Sequence, residues 1–129
     1  MRVLYMTGEN IVKPCLRWAG GKNWLIKYLP QIMRDITFDN YHEPFLGGAS
    51  VFLSIKPSQQ AFLSDLNEDL IKTYIALRDY PYDIIKVLCT YSNDKDSYYK
   101  IRSEHPQDEV TRAARFIYLN QTSLTVYIG

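Results

Sequence analysis

The strongest constraint in this sequence is a pair of short strand-like runs joined by one short helical run. Residues Asn40 to Pro44 lead into Phe45-Leu46-Gly47-Gly48-Ala49-Ser50, and Val51, Phe52, Leu53 and Ile55 follow as an apolar run. Strand, glycine turn and short helix is the natural reading. Gln60-Ala61-Phe62-Leu63-Ser64-Asp65 then reads as a short buried strand ending in an acid. Asn67 opens a helical pattern carried by Leu70, Ile71, Tyr74, Ile75 and Leu77, which completes a βαβα unit. Two predicted strands are too few for an ordinary doubly wound sheet, because a parallel sheet is covered on both faces and usually has more strands. The fold class is therefore α/β with an incomplete sheet.

The remaining punctuation supplies the organisation. Met1 to Val12 reads as a loosely held leader, followed by the loop Lys13-Pro14-Cys15-Leu16-Arg17-Trp18-Ala19-Gly20-Gly21-Lys22. Asn23 is a candidate helix N-cap, ahead of Leu25, Ile26, Leu29, Ile32 and Met33 at helical spacing, with Pro30 opening a second helical piece. Helices are predicted over Pro81 to Tyr91, Asp94 to Glu104 and Gln107 to about Gln121, with Pro81 and His105-Pro106 as breaks. One domain is expected over 1–129: a βα unit at 13–80, a helical extension at 81–123, and a tail at 124–129 that follows its helix with no stop signal.

Lys+Arg 15 against Asp+Glu 14 leaves a net charge of +1, so the chain has no global electrostatic footprint of a nucleic-acid binder. Any main DNA contact surface is expected elsewhere. Cys15 and Cys89 lack a CxxC partner or a His pair, which argues against a zinc site or a disulfide scaffold. No apolar run reaches the roughly 18 residues that span a bilayer, and there is no signal-peptide core. A soluble, cytoplasmic protein without membrane or metal is expected.

Three constellations carry possible chemistry. The glycine turn Phe45-Leu46-Gly47-Gly48-Ala49 lets backbone approach a ligand closely, or is simply structural; it matches neither GxGxxG nor the phosphate loop. Asp65 stands 18 residues after Gly47 at the end of the next strand, where Rossmann-like folds place the acid that accepts from ribose hydroxyls. Its competing reading is a helix cap, alone or with Asn67. Lys22 closes a glycine loop beside Trp18, which suits an anionic ligand group, although Trp18 equally suits a core.

Together, these segments resemble the DNA adenine methylase family of the Dam and type II restriction-modification kind. The opening motif is similar to Pro14-Cys15-Leu16-Arg17-Trp18-Ala19-Gly20-Gly21-Lys22, the glycine motif to Glu43-Pro44-Phe45-Leu46-Gly47-Gly48-Ala49-Ser50-Val51-Phe52, and the acidic motif to Ser64-Asp65-Leu66-Asn67-Glu68-Asp69-Leu70-Ile71. A further family segment resembles the stretch from Ala113 to Thr122. The resemblance implies a Rossmann-like, S-adenosylmethionine-dependent methyltransferase fragment with a helical extension, acting on adenine N6 in double-stranded DNA. It implies that Trp18 and Lys22 hold the methionine end of S-adenosylmethionine. Phe45, Gly47 and Ala49 would line the cofactor floor, Asp65 would bind the ribose hydroxyls, Leu66 would pack on the adenine, and Glu43 is a candidate for the methionine ammonium. Ala49 stands where the family usually has a third glycine, a departure expected to shift the backbone only slightly.

The family's catalytic element is an acid or amide, two prolines and an aromatic, which this sequence lacks. Asp79-Tyr80-Pro81-Tyr82 imitates it but reads as a helix stop. The chain is therefore expected to be an N-terminal part, inactive alone, ending before the family's DNA-recognition region; the alternative is a non-catalytic cofactor-binding or interaction module. Exposed strand edges favour self-association or a complementing chain. The tail Leu124-Thr125-Val126-Tyr127-Ile128-Gly129 can be back-translated as TTA ACG GTA TAT ATA GG. One T in front yields Phe-Asn-Gly-Ile-Tyr-Arg, the pattern with which the family continues, so a frameshift is expected there.

Overall fold

The computed structural model describes residues 13–128. The expected leader, Met1 to Val12, lies outside the described residues, as does Gly129. By packing, the chain divides into two compact units, Met1–Leu66 and Asn67–Gly129.

In the first unit a 3₁₀ helix, Asn23–Tyr28, runs into the short helix α1, Leu29–Met33, with Pro30 in its first turn. Asn23 is not an N-cap. The cap position falls on Lys22, whose φ −94° and ψ 27° lie outside the extended region that side-chain capping requires, and no side-chain cap bond forms. Strand β1, Asn40–Glu43, leads through α2, Ser50–Ile55, to β2, Gln60–Leu63. The strands pair in parallel, with Asn40 opposite Gln60 and Glu43 opposite Leu63, the geometry a helical crossover permits.

Strand alternation gives this small sheet two unlike faces. Tyr41, Glu43, Ala61 and Leu63 share the covered face, where the Phe52 ring of α2 packs 6.0 Å from the Tyr41 ring. His42 and Phe62 share the other face, exposed, with their rings stacked at 4.7 Å. Among the described residues the sheet has these two strands, the number read from the sequence.

The second unit is helical: α3, Glu68–Asp79; α4, Pro81–Leu88; α5, Lys95–Ser103; and α6, Glu109–Ile128. Each start has an identifiable cause. Asn67 accepts from the Leu70 N–H at 3.0 Å, Pro81 occupies the first turn of α4, and Asp94 and Asp108 accept from the N–H groups of Ser97 and Thr111, each at 2.8 Å. Helix α6 packs on α3, α4 and α5; Ala76, Ala113 and Ala114 are buried, and side chains this small let helix backbones approach. Arg115 donates to the carbonyls of Ile101 and Arg102 at 2.9 and 2.7 Å, in the last turn of α5 where carbonyls run out of helical partners.

Two boundaries differ from expectation. Because α3 packs on α4 and α6, it groups with the helical unit, and the division falls at Leu66 rather than near residue 80. The last helix does not stop near Gln121 but runs to Ile128. Residues 109–128 contain neither Gly nor Pro, so nothing in the backbone ends the helix.

Candidate functional site

The site-bearing segments meet because strand pairing continues past the ends of β1 and β2. The Ser64 N–H donates to the Glu43 carbonyl, and the Leu46 N–H donates to the Ser64 carbonyl, both at 3.0 Å. This brings the glycine turn beside the acid loop. The Gly47 N–H then donates to Asp65 Oδ2 at 3.0 Å, closing a contact across 18 residues of chain. Asp65 is not the cap of α3, since Asn67 fills that role. The pairing supports a site at the carboxyl ends of parallel strands, the position where α/β sheets bind ligands.

Gly47 is required twice over. Its φ of +53° lies in the left-handed region, and a Cβ there would meet Trp18 Cδ1 at 2.9 Å. Trp18 is thus half-buried against the turn, neither a free stacking platform nor a deep core residue. Ala49 also adopts a left-handed conformation, φ 63° and ψ 21°, and stands at the start of α2. The alanine therefore holds a glycine-like geometry under strain of about 1–2 kcal/mol.

Lys22 donates from Nζ to the Phe45 carbonyl at 2.8 Å, tying the opening loop to the glycine turn. Phe45 and Leu66 present apolar side chains to the surface, Leu66 at 94% exposure. Burying such side chains against a flat apolar ligand would be favourable.

Glu43 is the least expected member of the site. It is 7% exposed, and its Oε2 accepts from the Tyr41 hydroxyl at 2.7 Å. Oε1 is buried without a hydrogen-bond partner among the described residues. Burial raises the Glu43 pKa above the usual carboxylate range, opposed by the Tyr41 hydrogen bond, the Lys22 charge and the Phe52 backbone N–H in the first turn of α2. A buried carboxylate oxygen left unpaired is costly, and a bound cation would relieve it. Tyr41 itself gave no signal in the sequence, since a strand tyrosine usually reads as packing.

The other titratable cluster is structural. Asp79 is held by Arg78 through two hydrogen bonds, 2.7 and 3.0 Å, and Pro81 starts α4, so Asp79 to Tyr82 forms a helix junction. A cavity of about 630 Å³ in the helical unit is lined in part by Asp69, Lys72, His105, Arg112 and Arg115, none of them predicted site residues. No cluster of His, Cys, Asp and Glu among the described residues is set to hold a metal ion. No helix among them is long and apolar enough to cross a membrane.

The chain is similar to known type II methyltransferases over most of its length. The chain is 32% identical over 127 residues to the type II methyltransferase M1.LlaDCHI of Lactococcus lactis subsp. cremoris, covering 92% of this chain and 44% of that protein. It is 32% identical over 132 residues to the type II methyltransferase M.MjaIII of Methanocaldococcus jannaschii, covering 86% and 46%. It is 34% identical over 117 residues to the type II methyltransferase M.CviBI of Paramecium bursaria Chlorella virus NC1A, covering 86% and 43%. The chain thus spans a little under half the length of these curated relatives. Residues 18–128 match the family described as D12 class N6 adenine-specific DNA methyltransferase, and the chain belongs to that family.

Proposed function

We propose that this chain is the S-adenosylmethionine-binding part of an enzyme that methylates adenine N6 in double-stranded DNA, and that its first unit is the start of a Rossmann-like sheet. The observation that carries the reading is the buried Oε1 of Glu43, without a hydrogen-bond partner among the described residues, beside a glycine turn linked to Asp65. These residues fit the cofactor's functional groups. Glu43 takes the ammonium and Lys22, whose ammonium has three donors, takes the carboxylate next to its Phe45 contact. Trp18, Gly47 and Ala49 form the floor with Phe45. Asp65 accepts from the ribose hydroxyls, and Leu66 covers one face of the adenine. When bound, the cofactor supplies an electrophilic sulfonium methyl group; the residues named here bind and orient it. The target base must leave the DNA stack to be reached, and the acid-Pro-Pro-aromatic element that would hold it is not in this sequence.

Calorimetry with S-adenosylmethionine tests the assignment. Weak binding is expected from the wild-type chain. Asp65→Ala should abolish it, because hydrogen bonds to a charged group contribute about 1.5–3 kcal/mol each. No heat at millimolar ligand, or unchanged affinity in a folded Asp65→Ala chain, refutes it.

A further inference from the structure

We propose that Tyr41 is a positioning residue for ligand binding: its hydroxyl, donated to Glu43 Oε2 at 2.7 Å, fixes the carboxylate so that the buried Oε1 is left to receive an ammonium group. The proposal rests on the cofactor reading above and adds the residue that makes Glu43 usable. A glutamate side chain has three rotatable bonds and would otherwise pair its oxygens wherever donors allow. Tyr41 prevents this because its own ring is held. It packs against Phe38 with centroids 6.3 Å apart and against Phe52 at 6.0 Å.

A phenylalanine at position 41 would occupy the same aromatic slot, so the tyrosine hydroxyl has a separate role, and its contact in this site is Glu43. The same contact favours the ionised carboxylate. Burial pushes the Glu43 pKa up, and the Tyr41 bond, the Lys22 charge and the Phe52 N–H pull it back. Tyr41 therefore sets both the direction and the charge of the group that would meet an ammonium.

The test compares S-adenosylmethionine with 5′-methylthioadenosine, which keeps the nucleoside and lacks the amino-acid end. In Tyr41→Phe, affinity for S-adenosylmethionine should fall about tenfold, the loss expected for one hydrogen bond to a charged group. Affinity for methylthioadenosine should change less than about twofold, within the error of additivity for a group not contacted. The acid limb of the S-adenosylmethionine affinity profile should move to higher pH, since removing the Tyr41 bond raises the Glu43 pKa while Lys22 and Phe52 remain. Glu43→Gln serves as the second variant. It keeps a partner for Tyr41 but loses the charge, and it should show the same ligand selectivity without the pH dependence. Equal losses for both ligands, or unchanged S-adenosylmethionine affinity in Tyr41→Phe, overturn the positioning role while leaving the cofactor reading intact. A wild-type chain that binds neither ligand overturns the cofactor reading, and this proposal with it.

Discussion

Glu43→Gln should make the ligand-free protein more stable while making it a poorer binder. Glu43 is 7% exposed, its Oε1 has no hydrogen-bond partner among the described residues, and its nearest compensation is one hydroxyl, one helix N–H and the charge of Lys22. Leaving a buried polar group unpaired costs about 1–3 kcal/mol, more when it is charged. Glutamine removes the charge but weakens the Tyr41 bond, which as a charge-assisted bond is roughly twice as strong as a neutral one and so loses about 1 kcal/mol. The expected net gain is about 1 kcal/mol at pH 8. The advantage fades with acid: because the folded-state pKa of Glu43 is raised, the wild type gains stability as pH falls from that raised value to the unfolded one, and the advantage of glutamine vanishes below it. The lowered pKa values of Asp94 and Asp108 have the opposite pH dependence, but both chains share them, so the difference isolates Glu43. Urea unfolding followed by tryptophan fluorescence suits the measurement, since both tryptophans, Trp18 and Trp24, lie in the unit that contains Glu43. A less stable Glu43→Gln at pH 8, or an advantage that persists at pH 4, refutes the argument.

The glycine turn offers a contrasting pair. Gly47→Ala should lose at least about 1–2 kcal/mol from left-handed backbone strain, plus the displacement of Trp18 from a 2.9 Å clash; an unchanged urea midpoint speaks against the turn as described. Ala49→Gly should gain about 0.5–1 kcal/mol by releasing the strain at φ 63°, after the added unfolded-state entropy is deducted; a loss of stability shows that Ala49 packing outweighs its strain. In the helical unit, Asn67→Ala should cost about 1 kcal/mol of thermal stability by circular dichroism; an unchanged melting temperature speaks against Asn67 as the cap of α3.

The parts of the fold readable from sequence were those fixed by local chemistry. Pro81 and Pro106 had to interrupt helices, and the spacing from Gly47 to Asp65 announced two parallel strands ending side by side. The cap of α3 was ambiguous because Asp65 and Asn67 both have capping side chains, and what separates them is backbone conformation: Asn67 is extended, at φ −79° and ψ 101°. The division between the units likewise follows packing and not sequence order. Helix α3 follows β2 directly in sequence, but Leu70, Thr73 and Ala76 are buried in it and it packs on α6, whose sequence lies some forty residues on. Tyr41 was invisible because a strand tyrosine two residues before an acid has no signature until the pleat puts both on one face.

The extension of strand pairing into the loops explains how so small a sheet can position the residues of the proposed site. A two-stranded sheet is marginal by itself, yet the backbone bonds from Ser64 to Glu43 and from Leu46 to Ser64 continue its ladder beyond both strands, and the Asp65 side chain accepts from the Gly47 N–H just past them. Trp18 and Lys22 then fasten the opening loop to the same turn. Each proposed ligand-binding residue therefore lies within the unit that ends at Leu66 and is positioned by neighbours in that unit. Among the side chains this unit leaves exposed are the apolar ones of Phe45, Phe62 and Leu66, on or beside the sheet. Rigid polar positioning combined with uncovered apolar surface is the state expected of a site whose specificity is already built while much of the burial that gives affinity is still to be supplied by what binds there.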